Sequence, residues 1–353
     1  MRLDLGQDVG ALTARLVDIE SVSGGEKALA DAIEEALSPL DHLTVVRDGQ
    51  NIVARTTLGR AERVVIAGHI DTVPVAANLP SRVDGDLLYG CGTSDMKSGL
   101  AVQLKLALLE DPNRDLTFVF YDCEEIEAER SGLLRLTREH PEWLAGDFAV
   151  VMEPTDGLIE GGCQGTLRAD VVVRGARAHS ARSWEGVNAI HGIKPVVDIL
   201  TAYETRRPLV DGLRYHEGLN AVGIRGGVAG NVIPDECVVT VNYRFAPDLT
   251  VEQAFDHVRE QFDGFEVRLV DGAPGARPGL THPVAAAFAA AVGGTPRAKL
   301  GWTDVARFSA LGMPAVNCGP GNPNLAHTSG EHVSLTMIAE TERRMLDWLG
   351  SPR

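Results

Sequence analysis

Five short stretches of the 353-residue chain carry side chains able to hold a cation and activate water. G-H-I-D-T-V-P contains His69 and Asp71, two residues apart and so on one side of an extended segment. G-C-G-T-S-D-M-K-S-G contains Asp95, Y-D-C-E-E contains Glu124 and Glu125, and M-E-P contains Glu153. G-P-G-N-P-N-L-A-H supplies His327 from a loop. Singly these are unremarkable: a histidine is often structural, Asp95 would serve as a helix N-cap, and a glutamate at a strand end is often solvated. As a set they read as a metal site. Two imidazoles with three or four carboxylates suit zinc, which takes nitrogen and oxygen ligands, better than an all-oxygen calcium or magnesium cage. The count suits two ions, and the chemistry is hydrolysis by a metal-activated water.

The elements that position these residues are legible in the apolar pattern. Runs at 63–67 (R-V-V-I-A), 116–121 (L-T-F-V-F-Y) and 148–152 (F-A-V-V-M) read as buried strands, with helical stretches such as 97–109 between them. That alternation predicts an α/β fold with a mostly parallel sheet, and ligands gather beyond the carboxyl ends of such strands. The candidate ligands therefore converge on one sheet edge. Leu12, Leu16 and Ile19, then Ala28, Ile33 and Leu37, recur at helical spacing and predict two opening amphipathic helices. Around Gly165 the character changes: strands at 167–173, 219–227 and 237–245 and helices at 186–203 and 251–262 make a small α+β unit. After the Gly/Pro-rich stretch 272–279 the α/β pattern returns, with a helix at 283–292 and an apolar segment at 313–317. The economical reading is one domain inserted into another: 1–165 and 276–353 form the catalytic domain and 166–275 the insertion.

The formal charge of −16 excludes a basic footprint for nucleic acid or an anionic membrane surface. No apolar run approaches the roughly 18 residues of a membrane span, and residues 1–10 show no leader pattern, so a cytoplasmic protein is expected. Five cysteines without C-x-x-C spacing read as free thiols. G-x-S-x-G, a P-loop and a strand-linked G-x-G-x-x-G are all missing from the sequence, which argues against a serine hydrolase or a nucleotide-binding enzyme.

Taken in order, H-I-D, G-T-S-D-M-K-S-G, E-E, E-P and the late histidine resemble the M20 family of co-catalytic metallohydrolases over essentially the whole chain. The resemblance implies a zinc-exopeptidase-like catalytic domain and an inserted α+β lid and dimerisation domain. It implies two Zn²⁺ per subunit, with Co²⁺ able to substitute, bridged by Asp95. His69 and Glu153 would complete one site, and Glu125 and His327 the other. Asp71 would orient His69, and Glu124 would act as general base and then general acid. Two Zn²⁺ against the three carboxylate ligands leave a net charge of about +1. In the insertion, R-A-H-S-A-R implies that His179 serves the oxyanion across a homodimer interface. G-N-V-I-P-D and N-Y-R-F imply Asn231 and Arg244 at the acyl group, and G-W-T-D implies a further substrate contact at Thr303.

Within the family, V-P-V-A-A-N-L-P, G-C-Q-G-T-L-R, R-A-H-S-A-R-S-W, G-G-V-A-G-N-V-I-P-D and K-L-G-W-T-D-V-A-R-F are most similar to actinobacterial members that desuccinylate an N-succinyl diamino acid. That implies a small-molecule N-acyl diamino acid substrate and a role in diaminopimelate and lysine biosynthesis. One departure stands out: Cys163 and Gln164 occupy positions where better-known desuccinylases carry arginines, and Arg168 is the residue placed to compensate. Members that deacetylate N-acetylornithine, or that act as aminopeptidases or dipeptidases, share the same metal motifs and remain the alternative reading.

Overall fold

Four apolar runs, Arg63–His69, Asp115–Tyr121, Phe148–Pro154 and Ala315–Gly319, form the parallel centre of an eight-stranded sheet. Nearly every residue in them is buried, because helices cover both faces and alternation with polar residues would strand charges in the core. The antiparallel hairpin Thr44–Asp48 and Asn51–Arg55 extends the sheet beside Asp115–Tyr121. In this computed structural model, residues 3–350 are described and the chain divides into two units.

The first unit comprises the chain up to Gly161, Pro278–Arg297, and everything from Arg307 onward. Its two opening helices are Val9–Val17 and Lys27–Leu37, so Ile19 packs into the core from beyond the first helix rather than from within it. Helix Ser98–Leu106 approaches the Glu153 strand so closely that a Cβ at Gly99 would lie 2.4 Å from the Met152 carbonyl oxygen. Only glycine permits that contact, which brings the start of the helix against the strand end.

The second unit comprises Gly162–Arg277 and Ala298–Ala306. The short segment Ala298–Ala306, assigned by sequence to the returning catalytic domain, clusters here instead, and it carries Thr303. Strands Gly218–Gly226, Glu236–Phe245, Gly165–Arg174 and Glu266–Ala273 form one antiparallel sheet in that order. Leu167, Ala169, Val171, Val239, Val241 and Phe245 point to one face, where helices Lys194–Ala202 and Val251–Gln261 cover them. The other face carries mostly charged and polar side chains, although the paired Val172 and Val238 also lie on it. The helix expected over 186–203 begins only at Lys194: the Asn188 side chain accepts the Ile190 and His191 N–H groups, holding a turn in place of a first helical turn.

Candidate active site

The parallel strands deliver their polar residues to one sheet edge. His69 ends its strand and is almost fully buried; its Nε2 lies 3.1 Å from Asp95 Oδ1. Its Nδ1 lies 3.0 Å from the Asp71 main-chain oxygen and 3.5 Å from Asp71 Oδ1, so the ring proton on that side is held by Asp71 and Nε2 is left to face Asp95. Asp71 does more than orient the ring. Its carboxylate accepts the Glu124 N–H at Oδ1 (3.0 Å), and the Glu125 N–H (3.0 Å) and Ser23 Oγ (2.7 Å) at Oδ2. The turn bearing both glutamates, entered through Cys123 in the left-handed region (φ 55°), is thereby clamped to the His69 strand.

Asp95 sits in the irregular segment Thr93–Lys97 with φ −119° and ψ 92°, extended rather than helical. The capping position of helix Ser98–Leu106 belongs to Lys97, so a helix N-cap role does not account for Asp95. Its two oxygens face different imidazoles: Oδ1 faces His69, and Oδ2 lies 3.5 Å from His327 Nε2. His327 adopts φ 64° in its loop and also places Nε2 3.0 Å from Glu125 Oε1. Donor atoms of His69, Asp95 and Glu125 all lie within 4.8 Å of one another. Glu153 is buried at the end of the adjacent parallel strand, where the pairing of Ala67 with Val151 puts it level with His69.

The electrostatics describe a place built for positive charge. Burial opposes charging of His69, but the Asp71 and Asp95 hydrogen bonds outweigh it and raise its pKa well above the ordinary value. Asp95 and Glu125 push His327 up to about 10. Asp95 itself is penalised by burial, yet the two histidines hold it well below the usual carboxylate range. A cluster that draws protons this strongly onto imidazoles, with nitrogen and oxygen donors converging, fits a dication better still.

The remaining candidates lie in the second unit. Strand Ala178–His179 pairs with Val232–Ile233, and the Ser180 N–H donates to the Asn231 carbonyl at 2.9 Å, which brings His179 and Asn231 together. His179 is exposed, and its Nδ1 accepts the Ala181 N–H at 3.1 Å, so in the neutral ring Nε2 carries the outward-facing proton. Arg168 does not stand free to meet a substrate. Its Nε donates to both carboxylate oxygens of Asp271, at 3.1 and 2.9 Å, and on the same polar sheet face Arg174, Arg225 and Arg268 also have carboxylate partners. Arg244 differs: its Nε donates to Asn242 Oδ1 at 3.2 Å, and among the described residues no carboxylate forms an ion pair with it. Cys163 and Gln164 are packing residues, with the thiol 3.6 Å from the Thr303 carbonyl and the amide donating to the His216 carbonyl at 2.8 Å. Thr303 is buried beside them.

The profile of peptidase family M20/M25/M40 matches residues 65–349. The chain belongs to this family. It is 54% identical over 351 residues to the putative succinyl-diaminopimelate desuccinylase DapE of Mycobacterium tuberculosis, covering 98% of this chain and 99% of that one. It is 49% identical over 359 residues to the succinyl-diaminopimelate desuccinylase of Corynebacterium glutamicum, covering 98% and 97%. Among solved structures, a Staphylococcus aureus tripeptidase superposes with a TM-score of 0.77 at 20% identity, covering 99% and 98% of the two chains. The Bacillus subtilis YXEP protein, a dinuclear metal binding peptidase of the M20 family, superposes with 0.71 at 17% identity, covering 96% of each. This M20 chain is thus a hydrolase acting on an amide bond. No helix among the described residues is long and apolar enough to cross a membrane.

One residue of the site escaped the sequence reading. Glu331, four residues beyond His327, is buried with its carboxylate against the main chain that carries Asp95. Its spacing in H-T-S-G-E, just ahead of strand His332–Ser334, is the only signal, and that signal does not reveal main-chain partners.

Proposed function

We propose that this chain is a cytoplasmic, dinuclear zinc amidohydrolase that cleaves N-succinyl-LL-2,6-diaminopimelate to succinate and LL-2,6-diaminopimelate. The observation that carries the reading is the Asp95 carboxylate, which turns one oxygen to His69 and the other to His327. That supports a ligand shared by two ions, which His69 and Glu153 would complete on one side and Glu125 and His327 on the other. Ions held there would supply Lewis acidity and acidify a water. Glu124, beside Glu125 on the clamped turn, would take the proton from the attacking water as the carbon–oxygen bond forms. It returns the proton to the departing amine as the carbon–nitrogen bond breaks. His179 donates from Nε2 to the oxyanion, Asn231 and Thr303 contact the acyl-amide portion, and Arg244 binds the succinyl carboxylate. The names of the relatives at 54% and 49% identity support the choice of acyl group and amine.

The subunit is proposed to act as a homodimer through its second unit. Strand Gly218–Gly226 is an edge strand with Val222 and Ile224 exposed, and Val197 is exposed on helix Lys194–Ala202. An edge of this kind is satisfied by a second copy of itself.

The test is a parallel assay of N-succinyl-diaminopimelate, its N-acetyl analogue and a dipeptide, with and without a chelator. The succinyl substrate should be favoured by about 100-fold or more in kcat/KM, because an arginine without its anion is costly to leave buried by the ligand. Chelation should abolish turnover and Zn²⁺ should restore it. Equal efficiencies on the succinyl and acetyl substrates would replace this reading with a general deacylase, and chelator-insensitive turnover would remove the metal.

A further inference from the structure

The chemistry above makes no use of Glu331, although it is 2% exposed. Its side-chain hydrogen bonds go to main-chain donors on one segment: Oε1 accepts the N–H of Ser94 at 2.8 Å and of Asp95 at 2.9 Å, and Oε2 accepts the N–H of Gly92 at 2.9 Å. That segment cannot satisfy these donors for itself, because Asp95 and Met96 depart from helical angles. Three N–H groups converging on one point make a small anion nest, and a carboxylate has enough lone pairs to fill it. Gly92, at φ 80° and with a would-be Cβ 2.7 Å from Thr72 Cγ2, is the residue that lets the chain curl this way.

The surroundings of Glu331 tie it to the opposite side of the site. Its carbonyl accepts the Gly90 N–H at 3.2 Å, the following His332 carbonyl accepts Ser94 Oγ at 2.8 Å, and His332–Ser334 pairs in register with Leu87–Tyr89. Four residues upstream is His327. One short segment therefore presents an imidazole and also grips the peptide that presents the carboxylate between the two imidazoles. His327 Nε2 lies 3.5 Å from Asp95 Oδ2 across this segment.

We propose that Glu331 is a positioning residue for the bridging ligand, holding the Asp95 peptide so that each carboxylate oxygen meets a different ion. The inference rests on the reading of Asp95 as a metal ligand. A mere staple of the fold would alter melting and leave the metal centre as it was; a positioning residue alters the centre itself. Glutamine offers one acceptor oxygen, so Glu331→Gln must lose at least one of the three bonds and set an amide N–H against a main-chain N–H. Glu331→Asp keeps the charge but retracts it by one methylene.

The experiment titrates the metal-stripped full chain with Co²⁺ and with Zn²⁺ against a competing chelator. It records the Co²⁺ visible spectrum and follows melting of the metal-free protein, for the wild type, Glu331→Gln, Glu331→Asp and Asp95→Ala. Affinity for at least one ion should fall about 10- to 100-fold in Glu331→Gln, with altered ligand-field bands, and Glu331→Asp should not rescue it. Wild-type affinity and spectrum in Glu331→Gln, with only melting lowered, would overturn the inference while Asp95→Ala still showed weakened binding. Wild-type binding of both ions by Asp95→Ala would overturn the reading of the site and the inference with it. Should Glu331→Gln fail to fold, Glu331→Asp is judged by the same two criteria.

Discussion

Replacing Asp71 with asparagine tests whether the clamp under the two glutamates sets the reactive geometry. In the native chain Oδ1 accepts one main-chain N–H, and Oδ2 accepts another together with the Ser23 hydroxyl. The asparagine amide has a single carbonyl oxygen, so either Glu124 or Glu125 keeps a half-buried N–H opposed by an N–H. One orphaned donor costs about 1–3 kcal/mol, and the bonds that survive lose the strengthening given by a charged acceptor, about 1 kcal/mol more. The sum, about 2–4 kcal/mol, leaves a typical domain folded but lowers the apparent melting temperature by something of order 10 °C. Turnover should fall further than stability suggests, by about 100-fold, because a displacement near 1 Å of the proposed general base or its neighbouring candidate ligand is costly. The stability deficit should also depend on pH. Burial raises the Asp71 pKa, but His69, Ser23 and the Glu124 N–H outweigh that and leave it below the ordinary aspartate value. A lowered pKa stabilises the native state above the unfolded value of about 3.9 and ceases to do so as pH falls through the native value. In metal-free protein the gap between wild type and variant should therefore hold at neutral pH and narrow on acidification below about pH 4. Unchanged melting with near-native kcat would refute the clamp, and a gap that widened with acid would refute the sign.

Arg244→Lys should raise KM for the succinyl substrate by about 10- to 100-fold while leaving hydrolysis of an N-acetyl analogue nearly unchanged, since an ammonium does not reproduce the guanidinium fork. Equal effects on both substrates would move the carboxylate contact elsewhere. Glu124→Ala and His179→Ala should each be nearly inactive alone, and mixing them with subunit exchange should restore about a quarter of wild-type activity if His179 acts on the partner's site. Mass spectrometry of hybrids confirms exchange, and hybrids without recovery would place His179 in its own subunit's site.

The candidate ligands were legible because unbroken apolar runs lead toward them, and polar side chains able to do chemistry begin where each run stops. His69 and Glu125 could be placed on one edge from that alone. Other features depend on information that residue order does not display. The helix expected over 186–203 loses its first turns to the Asn188 side chain, a local competition that apolar spacing does not register. Strand Glu266–Ala273 was missed because it is a sheet edge whose Leu269 and Val270 are both exposed, so no clean alternation marks it. Arg168 and Arg244 look alike in sequence, and only cross-strand register shows that Asp271 already holds the first. Glu331 bonds to main-chain atoms, which every residue possesses, and so leaves no side-chain partner to recognise.

The candidate ligands and the proposed base are scattered over five separate stretches of chain from His69 to His327, yet all belong to the first unit; the candidate substrate contacts fall within Gly162–Arg277 and Ala298–Ala306. Such a partition loosens the evolutionary coupling between reaction and selectivity. Drift in the inserted block can retune which acyl amine is accepted without disturbing any ligand, whereas a change at one ligand loop affects every substrate alike. Divergence among relatives should accordingly concentrate in the insertion when specificity changes, and grafting that block between chains is a more promising way to exchange substrates than altering residues around Asp95.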